Sequence, residues 1–209
     1  MPQTYDEVRT PRLLMRRWTD ADREPFAAMN ADPEVMRYFP SLQDRAASDA
    51  NVDRFEEIFE SRGFGFWVLE TLSDGSFIGF AGLSVLPEGV PAAGEVEIGR
   101  RLVATAWHQG YATEAARAAV DLAFGDLGLA ELWSMTTVLN WPSRRVMQRI
   151  GMTYSSSFEH PRVPVGSPVR PHVMYHLARP AVRPSADVAV AVAVAPTVDG
   201  ACPSGRVSS

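Results

Sequence analysis

Between Trp107 and Ala115 the chain reads Trp-His-Gln-Gly-Tyr-Ala-Thr-Glu-Ala, a stretch able to hold an anion with main-chain groups alone. A glycine-containing loop that opens an Ala-rich helix presents successive free backbone N–H groups, and the helix dipole favours negative charge at that end. Gly110 and Ala112 carry little or no side chain, so a phosphate can approach the backbone closely. His108, Gln109, Gly110, Tyr111, Ala112 and Thr113 therefore form a candidate diphosphate cradle. The competing reading is an ordinary loop with a glycine before a helix. A nucleoside-triphosphate loop is excluded, because Gly-Lys-Ser/Thr is absent and the chain has no lysine. The three-glycine dinucleotide spacing is also missing, which argues against Rossmann-type binding.

Asn140 stands before Trp141-Pro142-Ser143, at the junction of a strand and a helix, where Asn is a good N-cap. Arg144 and Arg145 fall in the first turn of that helix, where the dipole disfavours cations. Solvated surface is one reading for them, and a phosphate contact, assigned to Arg145, is the other. The only thiol, Cys202, lies in the C-terminal stretch, so a covalent acyl-cysteine route has no support. The four histidines are His108, His160, His172 and His176. Their one i, i+4 pair falls in an expected strand and shares no helical surface, so no metal site is expected.

The elements that must position these residues alternate between strand and helix. Leu13 to Trp18 has strand-like bulk, and Asp20 to Asn30 carries apolar residues at helical spacing. Asp32-Pro33 resembles an N-cap with proline at the first helical position, opening a short helix through Tyr38. Ala46 to Ser61 places Val52, Phe55, Ile58 and Phe59 on one helical face. Phe66 to Thr71 and Phe77 to Val85 flank Ser73-Asp74-Gly75 and read as a hairpin. Glu95 to Val103 reads as a strand with Gly99 inside it, suggesting a bulge or a close backbone approach. A helix over Ala112 to Phe124, a strand over Leu132 to Val138, a helix over Pro142 to Ile150 and strands at Tyr154 to Phe158 and Val173 to Leu177 complete the pattern. It describes an α/β (α+β) domain around one mixed sheet.

Composition narrows the class further. The chain has 209 residues, 46% hydrophobic and 22% charged, with a net charge of −5. All its basic residues are arginines and they are scattered, so the basic stripe that a nucleic-acid binder needs is lacking. No apolar run reaches the ~18–20 residues of a membrane-spanning helix. Met1 to Arg12 lacks a signal-peptide core, so a cytoplasmic location is expected. From residue 181 onward the texture becomes Arg/Pro/Ser and then alternating Ala/Val; a disordered tail is expected there, with an edge strand over Val188 to Ala195 as the alternative. The domain is expected to span residues 1–180.

Taken together, several motifs in order resemble the GNAT superfamily of N-acetyltransferases, in particular its RimJ/RimL-type branch. They are Thr10-Pro11-Arg12-Leu13, Asp32-Pro33-Glu34-Val35-Met36-Arg37-Tyr38, Glu97-Ile98-Gly99 with Leu102, Trp107 to Ala115, Asn140-Trp141-Pro142-Ser143 and Ile150-Gly151-Met152. The resemblance covers most of Thr10 to Arg179. It implies a mostly antiparallel sheet flanked by helices and splayed by a bulge, with acetyl-CoA in the opening between the strands at Glu95 to Val103 and Leu132 to Val138. The pantetheine arm would then pair near Leu102 and Val103 and contact Asn140, and the diphosphate would sit on the His108 to Thr113 amides.

The resemblance also implies roles at the reacting centre. Transfer to an amine needs a neutral nitrogen, so a base or water relay must take a proton. Glu97 is the candidate, with His108 and His160 in reserve and a solvated strand carboxylate as the alternative. Relatives often supply a Tyr where this chain has Met147, and Ser143 is the substitute acid, against an ordinary first-turn serine. A backbone N–H near Arg100 to Leu102 would stabilise the oxyanion. For the acceptor pocket the candidates are Tyr38, Phe39 and Trp67, against a reading in which all three are core, with the loops Pro87 to Gly94 and Arg162 to Pro171 as walls. The acceptor implied is a small-molecule amine or a protein N-terminus, and homodimers are common in the family. The rival function is a CoA-binding regulatory or interaction module without turnover.

Overall fold

The computed structural model describes residues 5–180. The stretch read above as a tail, with its possible edge strand, lies outside the described residues. A short strand β1 (Glu7–Arg9) precedes β2 (Leu13–Arg16), and α1 (Arg23–Ala31), α2 (Pro33–Met36) and α3 (Arg45–Arg62) follow. Asp32 caps α2 by accepting from the Glu34 amide at 2.8 Å, and Asp44 caps α3 through the Ala47 amide at 2.8 Å. The helix expected to run through Tyr38 stops at Met36, and Tyr38 and Phe39 lie in the turns beyond it.

The hairpin β3 (Phe66–Thr71) and β4 (Phe77–Val85) leads into β5 (Val96–Leu102). Then come α4 (Tyr111–Phe124), β6 (Glu131–Thr137), α5 (Trp141–Arg149), β7 (Thr153–Glu159) and β8 (Pro171–Ala178). All eight strands join in one sheet of order β1-β2-β3-β4-β5-β6-β8-β7, antiparallel except between β5 and β6. β1 was not foreseen, because Glu-Val-Arg offers one apolar residue and no alternation to read.

Two layers of helix cover the sheet. Arg101 stands opposite Phe80 in the β4–β5 pair. The Phe80 ring is packed by Phe26 of α1 and Phe55 of α3, with ring centroids 5.9 and 5.5 Å away. Side chains alternate along a strand, so Glu97, Gly99 and Arg101 face this α1/α3 layer, and Ile98, Arg100 and Leu102 face the other. On that other side Arg100 reaches Ser143 of α5, and Arg117 of α4 reaches the carbonyl of Arg149 at the end of α5. The α4 residues Ala115, Ala116, Ala119 and Ala123 are buried. Their small side chains let the helix lie close to the sheet. Among the described residues no helix is long and apolar enough to cross a membrane.

The sheet opens between its two parallel strands. β5 and β6 pair only at Glu97 and Trp133, and Ser134 Oγ donates to the Ile98 carbonyl at 2.8 Å one step further on. Beyond that vertex β6 stays fully paired with β8 from Glu131 to Thr137, which carries it away from β5. The bulge expected in β5 is absent: its register with β4 runs unbroken from Val96 to Leu102. Gly99 answers a different need, since a Cβ there would lie 2.8 Å from the Phe66 ring. The close-approach reading of this glycine is correct and the bulge reading is not.

Candidate active site

A cavity of about 440 Å³ occupies the open side of this cleft. Its lining joins Arg37, Tyr38 and Phe39 to Arg100, Arg101 and Leu102, to the loop before α4, and to Asn140, Ser143, Arg145 and Arg149. Residues far apart in sequence are thus brought to one opening.

The loop before α4 is shaped as a cradle. His108 has φ of +62° and Gly110 of +85°, two left-handed residues that turn the chain toward the first turn of α4. Gly110 is the N-cap without a side-chain bond, and among the described residues no acceptor takes the amides of Gly110, Tyr111 or Ala112. These are the orphan donors of a helix N-terminus. Thr113 differs, because its amide donates to the Gly110 carbonyl at 3.0 Å. Gln109 is outside the lining: its side chain donates to the Thr105 carbonyl and its own carbonyl accepts from Arg12.

Arg12 proves to be the fastener of this loop. Its Nη1 donates to the Gln109 carbonyl at 2.9 Å, its Nε and Nη2 meet Glu114 at 2.7 and 2.6 Å, and its plane lies 4.5 Å over the Tyr111 ring. Thr10 Oγ1 donates to the same Glu114 carboxylate at 2.6 Å. Two motifs about a hundred residues apart therefore form one clasp.

Along β5 the carbonyl of Ile98 points to β6, so alternation aims the N–H groups of Arg100 and Leu102 into the split as well. The Leu102 carbonyl is capped by the Trp107 indole at 3.0 Å. Val103 is not available for pairing, since its N–H donates to Ile78 and its carbonyl accepts from Ala106. Asn140 caps α5, its Oδ1 accepting from the Ser143 amide at 3.1 Å, and it also lines the cavity. Arg100 Nη2 donates to the Ser143 carbonyl at 2.6 Å and to its Oγ at 3.0 Å. Burial lowers the Arg100 pKa to about 10, which leaves it cationic at neutral pH. Arg144 and Arg145 divide: Arg144 binds back to the Val138 carbonyl and Tyr175 and stacks on Trp141, and Arg145 lines the cavity.

Glu97 stands at the vertex, outside the cavity lining, between Ser84 on β4 and Trp133 on β6. Its carboxylate has no hydrogen-bond partner among the described residues, and burial pushes its pKa up to about 7. Neither reserve histidine shares this position. His108 belongs to the cradle, and His160 follows β7, its ring 4.7 Å from that of His172. Met147, where relatives often carry a Tyr, is fully buried.

Of the three aromatics offered for the acceptor, Tyr38 and Phe39 line the cavity. Trp67 does not: it is fully buried, stacked edge-on against Phe59, and its indole donates to the Tyr5 carbonyl. Its place at the interior of β3 makes it core. Sequence reasoning placed Arg12 and Arg37 in motifs without giving them a part in the site, and it missed the side chains of Arg100, Arg101 and Arg149. For Arg100 and Arg101 the available signal was an arginine doublet inside an otherwise half-buried strand.

Residues 12–153 match the acetyltransferase (GNAT) domain model. An Aspergillus fumigatus protein named FsC-acetyl coenzyme A-N(2)-transacetylase is 32% identical over 159 residues, covering 72% of this chain and 66% of that one. The uncharacterized Bacillus subtilis protein YkkB is 29% identical over 157 residues, covering 75% of this chain and 90% of its own. Among solved structures, an acetyltransferase from Agrobacterium tumefaciens superimposes with a TM-score of 0.68 at 27% identity, over 82% of this chain and 93% of that one. Cleft, cradle and sequence agree: the chain belongs to the GNAT family of acetyltransferases.

Proposed function

We propose that this enzyme transfers the acetyl group of acetyl-CoA to a primary amine by direct attack in a ternary complex. The observation that carries the reading is the opening between β5 and β6, with unbonded amides at one end and an unpartnered Glu97 at the other. The residues suit the donor. Free amides at Gly110 to Ala112 suit a diphosphate, Arg145 and Arg149 offer cations beside them, and the Arg100 and Leu102 N–H groups face the split.

Glu97, through water, takes the proton that the attacking nitrogen must lose, and its raised pKa suits that task near neutrality. The N–H groups of Arg100 and Leu102 receive the charge that builds on the carbonyl oxygen as the C–N bond forms. When the C–S bond breaks, the electron pair leaves on sulfur. Arg100 steadies that thiolate and Ser143, polarised by the same guanidinium, supplies its proton. This pair stands in for the tyrosine that Met147 replaces.

The Thr10/Arg12 and Glu114 motifs, joined in one clasp, support placement in the RimJ/RimL-type branch. A protein N-terminus and a small amine are the acceptor classes of that branch. Free-thiol release from acetyl-CoA over a panel of amines and peptides tests the function. Turnover with a mass increase on the acceptor amine is expected. Tight CoA binding without turnover on any acceptor would overturn it in favour of a binding module.

A further inference from the structure

Arg101 is charged, largely enclosed and left without an anion. Burial lowers its pKa only to about 10, so it carries its charge at neutral pH. No carboxylate lies within 4.0 Å of it among the described residues, in a structure where Arg12, Arg16, Arg17, Arg23 and Arg45 all have acidic partners. Its Nε is shielded and has no hydrogen-bond partner among the described residues. A buried guanidinium without a counter-charge is costly unless something that binds supplies one.

Its placement is built rather than accidental. Nη1 donates to Asn30 Oδ1 at 2.6 Å, and Asn30 is held in turn by Ser48 Oγ at 3.0 Å and by the Gln43 amide on its carbonyl. Asn30 and Ser48 are both fully buried. The guanidinium stacks 4.0 Å from the Phe39 ring, with Phe80 at 5.6 Å on the strand beneath. The Phe39 ring and the Nη1 bond to Asn30 hold the guanidinium in place, and Nη2, which donates to no group among the described residues, is left to meet an anion oxygen.

Which substrate supplies the anion follows from the face of the sheet. Arg101 shares its face with Glu97, the proposed base, and with Phe39. The free amides of the cradle belong to α4, and Arg145 and Arg149 to α5, both on the opposite side. We propose that Arg101 is the anion-recognition residue of the acceptor site, and that the amine acetylated here is a small molecule that also bears a carboxylate. The proposal rests on the acetyl-transfer reading above and names its substrate class.

The experiment uses the full chain and matched pairs: amino acids with one to five carbons between amine and carboxylate, each against its own carboxamide. Thiol release should show kcat/KM at least tenfold higher for the acid at the favoured chain length. R101Q should bring the acid-to-amide ratio close to one, and R101K, which keeps charge but not the fork, should restore part of it. Calorimetric titration of the N-acetyl acid and its N-acetyl amide into the CoA-saturated protein asks the same question without turnover, with tighter binding of the acid expected. Equal affinity for the two, or an acid-to-amide ratio near one in the unaltered enzyme, overturns the proposal. An unaltered ratio in R101Q, with acetyl-CoA affinity lost instead, would assign Arg101 to the donor and also overturn it. If no amine releases thiol, the transfer reading fails and calorimetry alone decides the anion site. Should R101Q not fold, the comparison of acid with amide on the unaltered enzyme still decides.

Discussion

Two residues concentrate the chemistry, and each gives a direct test. Glu97 has no hydrogen-bond partner among the described residues, and burial raises its pKa to about 7. A base works deprotonated, so transfer should rise with pH through about 7. E97Q should lower kcat by about 10²-fold and remove that rise, as pH–rate profiles of the two proteins would show. Stability moves the other way. A carboxyl whose folded pKa lies above its unfolded one stabilises the fold below about pH 4.5. That contribution is lost as pH climbs toward and past 7, so E97Q should flatten the decline in Tm over this range. Gly110 is the second residue. At φ of +85° a β-branched side chain is strained, and the new Cβ would sit 3.4 Å from Arg12 Nη2. G110V should cost about 1–3 kcal/mol of stability and raise the acetyl-CoA Kd at least tenfold. Unchanged affinity by calorimetry would remove the diphosphate from this loop.

Single elements are held by pairs that sequence order hides. The clasp of Thr10 and Arg12 on Glu114 fixes the edge of β2 to the first turn of α4 and fastens the Gln109 carbonyl from outside. E114Q should weaken acetyl-CoA binding several-fold with a change in stability of no more than about 1 kcal/mol, because the Arg12 side is half exposed. A large fall in Tm with unaltered KM would make the clasp purely structural. Both motifs were legible in the sequence, and so were the strand–helix alternation, the Asn140 cap and the glycine at the cradle, since each is a local signal. What was not legible is non-local. Gly99 reads as a bulge or a close approach until Phe66 is seen under it, and the splay comes from β6 following β8. Trp67 reads as pocket or core equally well, and only its hydrogen bond to Tyr5 and its burial place it inside. Arg100 and Arg101 are a plain doublet in sequence; alternation sends one to each face of the sheet, where they meet different helices and different tasks.

Across the whole molecule, charge is segregated against its own net sign. The chain carries −5, and the stretch beyond residue 180 contributes Arg183 and Arg206 against Asp187 and Asp199, so the residues before it hold the full imbalance. Yet the cavity is lined by Arg37, Arg100, Arg101, Arg145 and Arg149 against a single acid, Glu34. An acidic exterior around a basic cleft repels polyanions at large and draws a compact anion inward, a field that acts over a Debye length. Raising ionic strength from about 0.01 M to about 0.15 M shortens that length from ~30 Å to ~8 Å. The KM for acetyl-CoA should therefore rise steeply over this range while kcat holds. Arg145 and Arg149 lie on α5, on the cradle side of the sheet, so R145Q/R149Q should raise KM at low salt and flatten its salt dependence. A KM indifferent to salt in the unaltered enzyme would mean that the backbone amides alone hold the donor and that the arginines serve only what sits opposite it.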